Sequence, residues 1–241
     1  LTVAGDGDLL PFYALGAAKR LGMSPIAAQM ERHWVAHIRE QNYQYQDPTS
    51  LLRKHSYLNG LWHSYKYFQA VEESLREVLT PVSSFPKALR DFRQMVGDSG
   101  AICVHVRRGD YSLTQGPARL LELRYYFDGI ETLTRQIGPR KVYIFSDDPD
   151  WCSRQFLSAK FKYEIVGHGR ENPDFSHFYL MSGFRNFVIS NSTFAWWAVW
   201  LAGDDALNVV APENWFNAAP DIDTSGFIPS SWQRIKNRIL R

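Results

Sequence analysis

The sequence predicts an α/β protein whose C-terminal part is a doubly wound parallel sheet. Short apolar runs recur from about residue 101 onward, and longer segments with helical spacing separate them. Pro149 and Pro173 lie near predicted helix starts, and Gly203 follows a predicted helix end. A chain that repeats strand and helix in this order places helices on both faces of a parallel sheet.

The apolar runs have the length of buried strands. They are Ile102 to Val106, Val142 to Phe145, Tyr163 to Val166, Phe187 to Ile189 and Val209 to Ala211. The helices predicted between them are Leu123 to Ile137, Pro149 to Ala159, Pro173 to Phe184 and Thr193 to Ala202. Together these elements predict a Rossmann-like domain over residues 85–241.

The N-terminal residues 1–84 predict a smaller, helix-rich lobe. Leu9 to Leu21 and Ile26 to Arg39 have helical patterns, and Tyr67 to Val78 carries apolar residues near helical intervals. The stretch from Thr80 to Pro86 contains two prolines and two serines, which interrupt any continuous element. We therefore expect the boundary between the two lobes in this stretch.

Composition excludes several classes of function. The chain has 241 residues, 45% of them apolar, which is enough for one large core or two modest ones. A formal charge of +2 is far below that of a typical nucleic-acid binder, so no nucleic-acid partner is expected. The two cysteines, Cys103 and Cys152, have neither disulfide-framework nor zinc-site spacing and are expected to be reduced.

No transmembrane segment is expected, because no apolar run approaches the ~20 residues needed to cross a bilayer. The N-terminal residues also lack the pattern of a secretory signal. In a bacterium the protein would be cytoplasmic or peripheral to a membrane. Because the chain begins at Leu1 and not at Met, an upstream anchor and a Golgi location stay open.

Four polar side chains lie at the C-terminal end of the first strand of the predicted sheet: His105, Arg107, Arg108 and Asp110. Open α/β sheets bind ligands at the C-terminal ends of their strands. An arginine can hold two phosphate oxygens and stays cationic, so it can stabilise the charge that grows on a departing pyrophosphate. The alternative is an Arg–Asp ion pair that only stabilises the strand end.

A second polar segment, Asn191, Ser192, Thr193 and Phe194, joins a predicted strand to a predicted helix. The N-terminus of a helix offers unpaired N–H groups and a favourable dipole, which together can bind an anion. The alternative is ordinary capping, since serine, threonine and asparagine are the preferred N-cap residues.

A third segment places Asp147 and Asp148 at another junction between a strand and a helix. A carboxylate can accept paired hydrogen bonds from the N–H groups of guanine. One alternative is capping of the helix that Pro149 begins. Another is a D-x-D metal motif at Asp148 to Asp150, but no metal is expected because the arginines can neutralise a diphosphate.

Three tryptophans, Trp196, Trp197 and Trp200, follow on one face of the last predicted helix. Tryptophan can stack on a sugar ring, and it also fills hydrophobic cores. Their common face favours core packing.

These segments together resemble the α-1,2-fucosyltransferases of glycosyltransferase family eleven. His105 to Tyr111 reads HVRRGDY and matches the family motif H-x-R-R-G-D-Y. Further matches are Tyr57 to Phe68, Phe145 to Pro149, Leu180 to Ser182, Asn191 to Leu201 and Ala211 to Phe216. The resemblance covers roughly residues 55 to 220.

The resemblance implies a GT-B fold of two Rossmann-like lobes, with the acceptor on the side of the N-terminal lobe. It also implies inverting transfer of L-fucose from GDP-fucose to the 2-hydroxyl of a terminal galactose, without metal or cofactor. The implied catalytic residues are Arg107, His105 and Asp110. The implied donor-binding residues are Arg107, Arg108, Asp147, Asp148, Asn191, Ser192, Thr193 and Phe194.

Individual roles follow from the same resemblance. Arg107 would hold the β-phosphate with His105 beside it, and Asp147 or Asp148 would meet guanine. Ser192 and Thr193 would line the diphosphate or fucose site. The general base is left open among Asp110, which follows the two arginines, Asp8, and a weak base or water.

The N-terminal residues depart from the family pattern. Gly5 to Leu9 stands where the family has a G-L-G-N-Q loop, and the segment from Arg20 to His55 is short for the family. The alternative function is therefore a catalytically weak protein that binds a GDP-sugar or a glycan on the same fold. A third possibility is a transferase that uses another GDP-sugar.

Overall fold

The structure is a computed structural model, and it describes residues 35–238 except 42, 54, 81–84, 114–115, 117, 168–172, 204–206 and 220, together with residues 19, 21–23, 25–26 and 29–30. The chain divides into two compact units, residues 1–67 and residues 68–241. The sequence predicted a division between residues 84 and 85. Helix α1, Glu72–Leu79, belongs to the second unit, where the Arg76 guanidinium lies over the Trp200 ring at 4.0 Å.

The first unit contains a two-stranded parallel sheet. Strand β1, Val35–Arg39, pairs with strand β2, His55–Asn59. The prediction of a helix continuing to Arg39 is therefore wrong over β1. Ile38 is buried while its neighbours His37 and Arg39 are exposed, which is the alternation of a strand. The predicted loop from Gly5 to Leu9 and nearly all of the predicted helix after it lie outside the described residues.

The second unit contains the predicted doubly wound parallel sheet. Its strands are β3 Ile102–Val106, β4 Val142–Ser146, β5 Tyr163–Val166, β6 Asn186–Ile189, β7 Asn208–Pro212 and β8 Gln233–Ile235. All neighbours are parallel in the order β5-β4-β3-β6-β7-β8. The sequence predicted the first five strands. It missed β8, because a strand of three residues without an apolar run gives no periodic signal.

In the described part of the chain, α1 is followed by α2 Lys87–Ser99, α3 Leu123–Ile137, α4 Pro149–Gln155, α5 Pro173–Met181 and α6 Thr193–Leu201. The last four match the predicted helices, although α4 ends earlier and continues as the 3₁₀ turn Phe156–Ser158. Helices α3 and α4 pack on one face of the sheet, and α2, α5 and α6 pack on the other. Among the described residues, no helix has the length and apolar content to cross a membrane.

The central strand β3 is buried on both faces. Ile102, Val104 and Val106 belong to the core cluster under α3 and α4, while His105 points to the side of α6. His105 is therefore the one polar residue in a strand that is otherwise apolar.

The predicted packing role of the tryptophans is confirmed for Trp196 and Trp200, which are 5% and 7% exposed.

Gly129 on α3 should tolerate a methyl group poorly. A Cβ there would lie 2.6 Å from Cγ1 of Val188 on β6. Overpacking costs about 1–3 kcal/mol, whereas alanine gains about 1 kcal/mol of helix propensity over glycine. We expect Gly129→Ala to lower the free energy of unfolding in urea by up to about 2 kcal/mol. The exposed change Arg135→Ala on the same helix is the control, and a more stable Gly129→Ala protein would contradict this packing.

Candidate functional site

A cavity of about 620 Å³ opens at the C-terminal edge of the sheet in the second unit. The ends of β3, β4 and β5, helix α5 and the start of α6 form its walls. The lining residues are His105, Arg107, Asp110, Tyr111, Ser146, Asp147, Pro149, Gly167, His177, Ser192, Thr193 and Phe194. Because β3 and β6 are neighbours whose connections run in opposite directions, the cavity lies at the topological switch point, where doubly wound sheets bind ligands.

Most of the predicted site residues meet in this cavity. His105, Arg107, Asp110 and Asp147 line it together with the start of α6, Ser192 to Phe194. Arg108, Asp148 and Asn191 do not line it. The motifs read along the chain therefore converge at one place, but three of their members serve the surrounding structure.

Arg107 is held between two carboxylates. Its Nη2 lies 2.8 Å from Oδ1 of Asp110, and its Nη1 lies 3.0 Å from Oδ2 of Asp147. The Arg107 side chain is 31% exposed, and its guanidinium carbon lies 5.7 Å from the centre of the Tyr111 ring. The guanidinium thus lines the cavity in a fixed orientation, as a group that stabilises charge should.

The neighbouring Arg108 has a different environment. Its Nε lies 3.1 Å from Oδ2 of Asp148, and its guanidinium stacks over the Trp151 ring at 4.1 Å. Asp148 also accepts a hydrogen bond of 3.0 Å from the Trp151 N–H and thereby caps α4. Burial tends to raise the pKa of Asp148, but the Trp151 N–H and Arg108 outweigh it and hold the pKa below its usual value. Arg108 therefore has the structural ion-pair role that was the alternative to phosphate binding, and Asp148 has the helix-capping role that was the alternative to guanine binding.

Asn191 connects the loops behind the cavity. Its Nδ2 donates to the carbonyl oxygens of Arg119 and Trp215, each at 3.0 Å, and its backbone carbonyl accepts from the Tyr111 hydroxyl at 3.0 Å. The residue is 1% exposed. A buried amide with these partners fixes the path of the chain before α6.

Ser192 is the N-cap residue of α6, but its hydroxyl makes no capping hydrogen bond. Ordinary capping therefore explains the backbone position of Ser192 and leaves its side chain unexplained. Ser192, Thr193 and Phe194 line the cavity, so the first turn of α6 faces it. N–H groups in a first turn have no partners within the helix, which makes this helix start suited to an anion.

His105 is buried beneath the cavity, and its Nδ1 lies 2.8 Å from Oγ of Ser190. Burial, together with the positive charge of Arg107 and the nearby His177, lowers the pKa of His105 to about 3. At physiological pH the imidazole is therefore neutral. It contributes a hydrogen-bonding group beside Arg107 and no second positive charge.

His177 lines the cavity from α5 and was not predicted as a site residue from the sequence. Its ring makes an edge contact with Phe145 at 5.4 Å, and a Cβ at Gly167 would collide with it. Gly167 has φ +121°, a conformation that favours glycine. The only signal in the sequence was a single histidine in an aromatic helix, and nothing linked it to His105.

Two further expectations concern a metal site and the general base. Among the residues that the structure describes, no group of three or more His, Cys, Asp or Glu side chains could hold a metal ion. Asp148, the first residue of the D-x-D alternative, is occupied by Arg108 and by capping. The candidate base Asp8 lies outside the described residues.

Comparisons with known proteins agree with these motifs. The family model described as Glycosyl transferase family 11 matches residues 27–234. The chain is 30% identical over 186 residues to an alpha-1,2-colitosyltransferase of Escherichia coli, an alignment that covers 73% of this chain and 61% of the relative. It is 25% identical over 173 residues to galactoside alpha-(1,2)-fucosyltransferase 1 of Saimiri boliviensis boliviensis, covering 66% of this chain and 47% of the relative.

The matched region thus spans about half the length of these curated relatives. Among solved structures, the crystal structure of POFUT1 in complex with GDP-fucose matches with a TM-score of 0.31 and 11% sequence identity, over 69% of each chain.

The buried neutral His105 should make stability depend on pH. Its folded pKa of about 3 is below the reference value of 6.5, so the unfolded chain binds more protons between these values. The contribution of His105 to the free energy of unfolding is therefore fully present above pH 6.5, and it is lost as the pH falls toward 3. Between pH 7 and pH 5 we expect the free energy of unfolding, measured in urea, to fall by about 2 kcal/mol. His105→Gln should reduce this slope, while the exposed His37→Gln should keep it; an unchanged slope in His105→Gln would contradict the assignment.

Proposed function

This chain belongs to glycosyl transferase family 11, and we propose that it transfers L-fucose from GDP-fucose to the 2-hydroxyl of a terminal galactoside, with inversion of configuration. The observation that carries the proposal is the cavity at the switch point, where Arg107 and the start of α6 meet. A GT-B arrangement, with residues 1–84 on the acceptor side and residues 85–241 on the donor side, is part of the proposal.

The cavity suits a nucleoside diphosphate in size and chemistry. Ligand sites commonly enclose roughly 300–1,000 Å³, and this one measures about 620 Å³. Arg107 offers a planar set of N–H donors, and the first turn of α6 offers backbone N–H groups and a positive dipole end. Ser192 and Thr193 add hydroxyl groups. A diphosphate could use all of these donors at once.

The names of the two relatives support the proposed α-1,2 linkage more directly than they support GDP-fucose as the sugar donor. Both names specify an alpha-1,2 linkage, and the primate name adds a galactoside acceptor. The bacterial relative is the more similar of the two and is named for colitose. Transfer of colitose is therefore the second candidate, and it differs from the first only in the sugar.

In the proposed reaction the acceptor hydroxyl displaces the diphosphate, and negative charge grows on the leaving β-phosphate. Arg107 would stabilise this charge, with neutral His105 beside it. An inverting displacement needs its base across the sugar from the diphosphate. Asp110 is bound to Arg107 at 2.8 Å and so lies on the diphosphate side. We therefore propose that Asp110 orients Arg107 and does not take the proton.

The proposal is tested by incubating the protein with GDP-fucose or GDP-colitose and a panel of galactosides, followed by mapping of the product linkage. We expect an α-1,2-linked product from one of these donors and an undiminished rate in EDTA, because Arg107 and α6 replace a metal at the diphosphate. Binding of GDP without turnover of either donor would favour the alternative of a binding protein. A loss in EDTA that Mn²⁺ restores would contradict metal independence.

Arg107→Ala should nearly abolish transfer while the protein stays folded. Losing one group that stabilises transition-state charge costs roughly 3–4 kcal/mol, or about 10²–10³ in kcat. Arg107→Lys should recover little, because a point charge does not reproduce the planar fork. The control is Arg124→Ala on α3, whose side chain is 78% exposed and pairs with Asp128. Wild-type turnover by folded Arg107→Ala would show that Arg107 does not bind the leaving group.

A further inference from the structure

Both carboxylate oxygens of Asp147 are used within the protein. Oδ1 accepts the backbone N–H of Arg108 at 2.8 Å, and Oδ2 pairs with Nη1 of Arg107 at 3.0 Å. One side chain at the end of β4 therefore holds the backbone of the turn after β3 and the guanidinium that this turn carries. The side chain is 25% exposed, so these bonds are partly shielded from water.

Gly109 allows this contact. A Cβ at Gly109 would lie 2.7 Å from Oδ2 of Asp147 and 3.3 Å from its Cγ, closer than side-chain atoms normally approach. Any larger residue at this position would force the carboxylate to move. The turn is thus shaped to receive Asp147 against its backbone.

These bonds conflict with recognition of guanine by Asp147. Pairing with the two adjacent N–H groups of guanine would also require both oxygens, so each would have to accept a second donor beside the one from Arg107 or Arg108. The Asp147 side chain is 25% exposed, and a base that displaced either existing donor would leave that donor unpaired, which costs free energy. Asp148 is no better placed, since its oxygens serve Arg108 and the N-terminus of α4.

We propose that Asp147 is a positioning residue, which fixes Arg107 for contact with the diphosphate, and that it does not recognise the nucleobase. The inference rests on the proposed function, because it assigns Arg107 to the leaving group. A guanidinium held in advance stabilises developing charge without first having to reorganise. Removing Asp147 should therefore act on the diphosphate end of the ligand and on the rate.

The first test uses Asp147→Asn, with GDP and inorganic pyrophosphate as calorimetric probes. Pyrophosphate lacks the base, so a positioning residue changes the Kd of both ligands by the same factor. We also expect kcat with the sugar donor to fall by about 10²-fold, the size seen when a reacting group is misplaced by about 1 Å. Weaker binding of GDP alone, or an unchanged kcat, would overturn the proposal.

A second variant keeps the carboxylate and moves it. Gly109→Ala should reproduce the fall in kcat, because its Cβ displaces Oδ2 of Asp147. The matched control is Asp128→Asn, which breaks the 2.7 Å ion pair with Arg124 on the surface of α3 and should leave kcat unchanged. Full turnover by Gly109→Ala would count against the positioning role.

The two binding constants separate this inference from the proposed function. If the wild-type protein transfers no sugar from either donor, the proposed function fails, while the comparison of GDP with pyrophosphate still tests the role of Asp147. An equal loss of affinity for both ligands would then support positioning, and either a change confined to GDP or no change at all would overturn it. If the wild-type protein binds neither ligand, both the inference and the proposed function are wrong.

Discussion

The cavity depends on the connection between the ends of β3 and β6. The Ser190 N–H donates to the His105 carbonyl at 3.2 Å, and the Ser190 hydroxyl lies 2.8 Å from His105 Nδ1. These bonds keep the two central strands together up to the point where their chains diverge toward opposite edges of the sheet. Arg107 follows one strand and α6 follows the other. The hydrogen-bond donors of Arg107 and of the start of α6 are therefore neighbours, because the winding direction of the sheet reverses between β3 and β6.

Orientation, and not excess charge, makes this cavity suitable for an anion. The arginines after β3 pair with three carboxylates, so the strand ends carry no net positive charge. The whole chain is also nearly neutral, at +2. Attraction for a diphosphate must then come from the direction of the Arg107 N–H groups and from the start of α6. The proposed positioning role of Asp147 rests on this dependence on orientation.

Much of the second unit could be predicted from its sequence, because its signals are local. The strands from β3 to β7 are apolar runs between turn residues, and α3 to α6 have the spacing and boundaries of helices. The motif at Arg107 and the segment at Ser192 were also recognisable as anion-binding chemistry. The helix prediction failed at β1, because these five residues were interpreted as the end of a longer helical pattern, and only their pairing with β2 identifies them as a strand.

The sequence by itself determined the fold class, the family and the residue types that could bind a diphosphate. Tertiary structure decided which of them line the cavity. Arg107 and Arg108 are adjacent and chemically identical, yet one lines the cavity and the other stacks on Trp151. His177 joins the cavity from a helix 72 positions after His105. The reason is physical: local patterns fix strands and helices, whereas side-chain partners depend on strand order, which brings distant segments together only in the folded chain.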